Sequence, residues 1–276
     1  MGSKNNLPAL KPSYWAMVSG GKDSLFMLNI ILNNLNLYPL DGVAHYDMET
    51  DYPFINDVVG EMERRCKSVG IPFFRFKPTR TWMEYYEMYG YPNGLKRWCN
   101  HSYKLSCQTA LRAMLREQGK YLVAYIGFCA DEEKRFKVDL FDRSQSVRFI
   151  YPLAEMGINE YEIWLWAREQ PLFNDYYKYN RRVGCMGCPL SSLREFAYMA
   201  TYYPEQYNMF MDLAQKSEDD SIKMYGRYIN PWDWKVKYNT AYRREIIPKK
   251  YLPIKEIPID KPFRRSKKEK QDGKEN

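Results

Sequence analysis

Short apolar runs alternate along this chain with longer stretches in which apolar residues recur every three or four positions. Residues 14–18 form an unbroken apolar run too short for a helix, so they read as a buried strand. Over residues 24–33, Leu25, Leu28, Ile31 and Leu32 fall on one helical face. Val43, Ala44, His45 and Tyr46 make a second strand that stops at Asp47. A helix over 53–68 turns Ile55, Val58, Val59 and Met62 inward and is closed by Gly70. Strands follow at 71–76, 121–127 and 147–150, with helices at 102–117 and 160–168 between and after them. The alternation predicts an α/β fold: a mostly parallel sheet with helices on both faces.

Beyond residue 190 the pattern changes. It turns helical to about residue 214, broken near Pro204, and becomes irregular from Gly226. Pro248, Pro253, Pro258 and Pro262 argue against long helices there. The expected organisation is a nucleotide-binding domain with a cysteine loop at 1–190, a helical extension at 191–230 and a basic, proline-containing tail at 231–276, partly disordered. Charge adds to this picture. The formal charge is +8, and residues 243–276 alone hold 12 basic and 6 acidic residues. A basic end can draw in nucleic acid through its phosphates or be a solvated tail. Aromatics reach 16%, with 25 Tyr, which suits core packing as well as base stacking. The first dozen residues are short and polar, and no apolar run could span a bilayer, so a cytoplasmic, reducing setting without membrane attachment is expected. The six cysteines then read as core thiols, catalytic thiols or metal ligands rather than disulfides.

The candidate chemistry begins directly after the first strand, at Ser19-Gly20-Gly21-Lys22-Asp23-Ser24. Glycines permit a tight turn whose backbone N–H groups converge on an anion, and the helix that follows adds its N-terminal field. Lys22 supplies a mobile positive charge, and Ser19 and Ser24 supply hydroxyl donors. The spacing is not that of a Walker A loop or of a dinucleotide fingerprint. An anion held there would draw in a hard cation such as Mg²⁺, which takes oxygen ligands, and Asp23 and Asp47 are its candidates. Cys185 and Cys188, two residues apart in a glycine loop, can reach one metal.

In its strand–turn–helix setting the Ser-Gly-Gly-Lys-Asp-Ser loop resembles the PP-loop of N-type ATP pyrophosphatases, the adenine nucleotide alpha hydrolase-like group. More of the chain is similar to the phosphoadenosine-phosphosulfate (PAPS) reductase-like branch. The landmarks are Asp47-Met48-Glu49-Thr50-Asp51-Tyr52-Pro53, Arg97-Trp98-Cys99 with Lys104, and Gly127-Phe128-Cys129-Ala130-Asp131-Glu132 with Arg135. Tyr151-Pro152-Leu153 before the Trp164 helix and Gly184-Cys185-Met186-Gly187-Cys188-Pro189 complete the series, in the family order. The resemblance implies ATP held by residues 19–24, with catalytic roles for Lys22, Asp23, Asp47 and Arg135. It departs from the iron–sulfur reductases in three ways. Cys99 is followed by Asn100, Cys129 stands where the family has arginine, and no cysteine occurs after Cys188.

The resemblance also makes Cys99 the natural third ligand beside Cys185 and Cys188. Three cysteines can hold a [4Fe–4S] cluster with one iron left open, as in certain tRNA thiolases of the PP-loop group. Zinc, with His101 near Cys99, or a dithiol that relays a persulfide, or a plain structural turn are the alternatives. Cys107 is a possible fourth ligand, whereas Cys66 and Cys129 read as packed thiols. Arg97, Lys104, Lys134 and Arg135 could neutralise phosphates. The implied activity is an ATP-dependent sulfurtransferase that adenylates a tRNA or DNA acceptor, with a cysteine desulfurase as a possible sulfur donor. A sulfonucleotide reductase relative acting on a small nucleotide is the second reading. The third is a nucleotide-binding subunit of a DNA-modification or defence complex.

Overall fold

The computed structural model describes residues 10–93, 97–136, 147–225 and 240–260. Much of the expected tail, including residues 226–239 and the basic end at 261–276, lies outside the described residues, as do residues 1–9. Five strands form one wholly parallel sheet: β1 (Lys11–Val18), β2 (Gly42–Tyr46), β3 (Phe73–Phe76), β4 (Lys120–Ile126) and β5 (Val147–Ile150). The spatial order is β3-β2-β1-β4-β5. The chain winds outward from β1 to β3, then returns to the other side of β1 for β4 and β5. The switch point therefore lies between β1 and β4, where open α/β sheets form a crevice at the carboxyl ends of their strands.

Side chains alternate across β1 as the pleat requires. Ala16 and Val18 enter the larger core, which holds α1 (Lys22–Asn33) and α2 (Pro53–Ser68). Trp15 faces the opposite way, into a smaller core built with Leu111 and Leu115 of α4 (Leu105–Glu117). Helices thus cover both faces, and the α/β expectation holds. The smaller helices α5 (Pro152–Glu155), α6 (Glu160–Arg168) and α7 (Tyr176–Tyr179) follow β5. α8 (Leu193–Tyr202), α9 (Pro204–Tyr225) and α10 (Thr240–Tyr251) make the C-terminal part.

Three local readings need correction. Residues 82–89, which the sequence pattern assigned to no element, form helix α3 (Trp82–Tyr89), started by a reciprocal capping box between Thr81 and Glu84. Its aromatics stack on one another: Trp82 on Tyr86, and Tyr85 on Trp98. The helix expected over 102–117 is two elements, a π-helical turn at Cys99–Lys104 and then α4. Pro248, expected to break helices, lies inside α10. A proline in a helix interior costs about 3 kcal/mol, and the neighbouring Ile247, fully buried, supplies packing that offsets it. Among the described residues no helix is long and apolar enough to cross a membrane.

Candidate active site: a nucleotide loop beside a cysteine cluster

The Ser19–Ser24 loop sits at the switch point. Gly20 has φ +76°, and a Cβ there would stand 2.6 Å from the Ile55 side chain, so both conformation and space call for glycine. On the β4 side, a Cβ on Gly127 would come 3.0 Å from the Asp23 carbonyl oxygen, which shows how closely the two loops abut. The loop closes on itself through hydroxyls. Ser24 Oγ accepts from the Ser19 N–H at 3.2 Å and donates to the Gly21 carbonyl at 2.9 Å. The first N–H of α1, that of Lys22, donates to the Tyr177 hydroxyl at 2.9 Å, 155 residues downstream. These are donors of the kind that an anion at a helix start takes over.

Lys22 is not the mobile charge that the sequence suggested. It is 1% exposed, and its ammonium stands 2.6 Å from Asp23 Oδ1 and 3.7 Å from Glu160 Oε1. An ammonium taken out of water needs such partners. Burial raises the Asp23 carboxyl above its ordinary range against the pull of Lys22, and Glu160 and Glu132 raise it further. The chain of charges continues. Arg182 donates to both Glu160 oxygens, at 2.7 and 3.1 Å, and to Glu132 at 2.5 Å. Glu132 also accepts from Arg135 at 2.7 Å. Burial opposes ionisation of Glu132, but hydrogen bonds and charge from Arg135 and Arg182 hold it below the usual carboxylate range. Arg135 therefore joins the site through Glu132, with its guanidinium 4.1 Å from the Phe128 ring centre. Lys134 is exposed. Glu160, Arg182 and Tyr177 escaped the sequence reading, because nothing local marks a residue whose partners lie 22 to 155 positions away.

Asp47 follows β2, the strand beside the loop's own, and its carboxylate lies 3.8 Å from the Lys77 ammonium. The turn that follows ties the nucleotide side to the cysteines. Glu49 has φ +56°, uncommon for a side-chain-bearing residue, and its carboxylate accepts from the Trp82 N–H that opens α3, at 2.8 Å. Thr50 offers its carbonyl to the Met186 N–H at 2.7 Å, inside the cysteine loop. Burial pushes the Asp51 carboxyl up to about 6, against the pull of Lys104 and a hydrogen bond with Cys185.

Cys185 and Cys188 lie in a turn whose Gly187 has φ +65°. A Cβ on Gly187 would stand 2.5 Å from the Phe210 ring and 2.6 Å from the Tyr91 hydroxyl, which itself donates to the Gly187 carbonyl at 2.6 Å. Gly187→Ala is expected to cost at least about 2 kcal/mol, from left-handed strain and overpacking together. Denaturant unfolding measures it, and an unchanged midpoint would refute this account of the turn. Cys99 opens the π-helical turn, a distortion often found at functional sites. Burial raises all three thiols; the charge of Cys188 raises Cys99 and Cys185 further, while Arg97 lowers Cys99 and Cys188 and Lys104 lowers Cys185. The three thiols thus share one neighbourhood centred on Cys188, flanked by two cations from the sequence reading. Among the described residues no three His, Cys, Asp or Glu side chains converge closely enough to hold a metal ion. The donor chemistry suits a thiophilic metal, but the arrangement is open rather than closed. His101 is exposed. Cys107 is buried with its Sγ 3.5 Å from the Phe76 carbonyl, and Cys66 is buried with its thiol pushed up to about 12 by that burial. Cys129 is buried 3.8 Å from Asp23 Oδ1, at the edge of the nucleotide loop.

Comparison with known proteins places these features. The chain is 24% identical over 245 residues to the uncharacterized protein MJ0973 of Methanocaldococcus jannaschii, a match covering 84% of this chain and 53% of the relative. It is 24% identical over 244 residues to MJ0066 of the same organism, covering 85% of this chain and 48% of that one. The chain thus spans about half the length of the curated relatives it matches. Among solved structures, the PAPS reductase of Candida auris in its phosphate complex aligns at TM-score 0.42 and 13% identity, over 67% of this chain and 85% of that one. The U34-tRNA thiolase NcsA of Methanococcus maripaludis, solved with its [4Fe-4S] cluster, aligns at TM-score 0.37 and 16% identity, over 79% and 75%. The phosphoadenosine phosphosulfate reductase domain matches residues 13–191, which hold most of β1, the nucleotide loop and every cysteine. That match runs over more than half of the sequence, and the chain belongs to the phosphoadenosine phosphosulfate reductase domain family.

Proposed function

We propose that this protein is an ATP-dependent sulfurtransferase of the PP-loop type. The observation that carries the reading is the direct link between two chemistries: the turn after β2 bonds through Thr50 to Met186, within the cysteine loop, while its parent strand pairs with the strand that leads into Ser19–Ser24. Activation of an oxygen and delivery of sulfur then occur within one crevice. ATP lies with its phosphates on the loop, accompanied by Mg²⁺, for which Asp23 and Asp47 are the candidate carboxylates. An acceptor oxygen attacks the α-phosphorus, the bond to the β-phosphate bridge breaks, and pyrophosphate leaves with the electron pair. Lys22 is placed to stabilise that developing charge. Sulfur at the sulfide level then displaces AMP. It can come from hydrosulfide, or from a persulfide such as a cysteine desulfurase makes, with a thiol to reduce the disulfide left behind. Cys99, Cys185 and Cys188 would hold a [4Fe–4S] cluster, which when bound supplies an open iron for sulfur. Zinc is the rival occupant. Thiolates ligate it readily, and the metal content of the purified protein separates the two. The acceptor we favour is a nucleic acid, tRNA or DNA.

The test supplies labelled ATP, a persulfide donor and bulk tRNA, and follows AMP, pyrophosphate and thiolated nucleosides. Acceptor-dependent AMP with thiolated product supports the reading. ATP binding without AMP would make the protein a nucleotide-binding subunit instead. Family membership favours a second reading, reduction of a sulfonucleotide, and sulfite release from PAPS would establish it. Asn100, which follows Cys99 where the iron–sulfur reductases carry a second cysteine, counts against that outcome.

A further inference from the structure

Four charged residues from four segments meet around the nucleotide loop. Lys22 starts α1, Glu160 starts α6, Glu132 lies in the 3-10 turn Ala130–Arg135, and Arg182 precedes the cysteine loop. Glu160 is 2% exposed and opens the Trp164 helix, outside the nucleotide loop itself. Its position is fixed from both ends. Its backbone N–H donates to Asp131 at 3.0 Å, and its carboxylate is gripped on both oxygens by Arg182. A two-pronged guanidinium grip fixes direction as well as distance. What that carboxylate then presents to Lys22 is one oxygen, 3.7 Å from the ammonium. Asp23 is no substitute, since it is the next residue in the chain and moves with the loop that Lys22 belongs to.

We propose that Glu160, held by Arg182, is a positioning residue that aims the Lys22 ammonium at the phosphates of bound ATP. The inference goes beyond the adenylation reading and rests on it. A buried carboxylate beside a triphosphate has two opposed effects. It repels the nucleotide, weakening ground-state binding. It also holds the lysine where the leaving pyrophosphate gains most, which lowers the barrier to reaction. Glu160 therefore sacrifices affinity for rate, a signature that a merely structural residue lacks.

The experiment measures Mg-ATP binding by titration, and AMP formation with bulk tRNA or water as acceptor, in the wild-type chain and three variants. Glu160→Gln is expected to bind Mg-ATP about threefold to tenfold more tightly, because one repelling charge is gone. Its AMP formation should fall about 10²-fold, because the lysine loses its aim. Glu160→Asp keeps the charge and shortens the reach, so its affinity should return to the wild-type value while turnover stays reduced. Arg182→Lys keeps the charge but loses the two-pronged grip. It should slow turnover at unchanged affinity, and it serves if Glu160→Gln does not fold. Wild-type protein that binds no Mg-ATP overturns the nucleotide reading and this inference together. Wild-type protein that binds it, with Glu160→Gln binding no tighter or losing affinity in step with turnover, overturns this inference alone. If the wild type binds without forming AMP, adenylation fails as a reading, and tighter binding by Glu160→Gln still supports the charge placement.

Discussion

Lys22→Met is expected to lower ATP-dependent AMP formation about 10²–10³-fold, the usual loss when one preorganised donor to a developing anion is removed. Unlike a surface lysine, this one cannot be deleted silently. It is buried, with Asp23 and Glu160 on either side of its ammonium. Removing one partner of a buried ion pair costs up to about 3–5 kcal/mol; the part-exposed Asp23 softens that cost, whereas Glu160, 2% exposed, does not. The stability loss has a predictable pH dependence. The folded Asp23 carboxyl is already raised by burial despite the counter-pull of Lys22. Without the lysine it rises further. A carboxyl whose folded value exceeds its unfolded value favours folding at low pH, and that benefit is lost as pH rises through the folded value. Lys22→Met should therefore unfold more easily than wild type at neutral pH, with the gap narrowing in acid. Thermal unfolding across pH, beside AMP assays at a temperature where both proteins are folded, separates the two effects. Wild-type turnover in the variant would remove Lys22 from the mechanism, and a pH-independent gap would remove the ion-pair account of its burial.

Cys188→Ala should abolish metal loading. Cys188 is the thiol whose charge reaches both Cys99 and Cys185, so it is the member common to both pairs. Protein purified without oxygen is expected to carry about four irons and four acid-labile sulfides per chain, the content of one [4Fe–4S] cluster. The variant should carry almost none. Cys107→Ala should keep its iron, since that thiol is directed at the Phe76 carbonyl on β3. Iron unchanged in Cys188→Ala would sink the ligand assignment. One zinc per chain in the wild type would replace the cluster with a single-ion site. Iron lost equally from Cys107→Ala would show that the core, and not the ligand set, had failed. The metal content is read independently of any enzymatic activity.

The residues that announce the site are local. Residues 19–24 could be found because a glycine-rich turn between a buried strand and an amphipathic helix is a contiguous signal, and the structure puts it at the switch point as that signal implies. Helix α2 and strand β5 carry the same boundaries in sequence and structure, since each has a clean periodicity and a sharp stop. Helix α3 was missed although Thr81 and Glu84 spell a capping box, because over only two turns the exposed Met83 and Met88 interrupt the polar side that Glu84 and Glu87 make opposite Trp82, Tyr85 and Tyr86. The π-helical turn at Cys99 has no sequence signature; it is a single-turn distortion across which Trp98 and Tyr103 meet edge to face.

The amino-acid sequence by itself determined the α/β class, the strand-to-helix loop at Ser19–Ser24 and the close pairing of Cys185 with Cys188, because each depends on neighbours a few positions apart. Only the tertiary structure decided that Lys22 is buried and not mobile, and that Glu160, Arg182 and Tyr177 surround it. It alone brought Arg97 and Lys104 to the cysteines and directed Cys107 away from them. The reason is physical. Periodicity and turn chemistry act along the chain, whereas the partner of a buried charge is chosen by whichever segment the packing of the sheet and helices delivers to it, however far away in sequence.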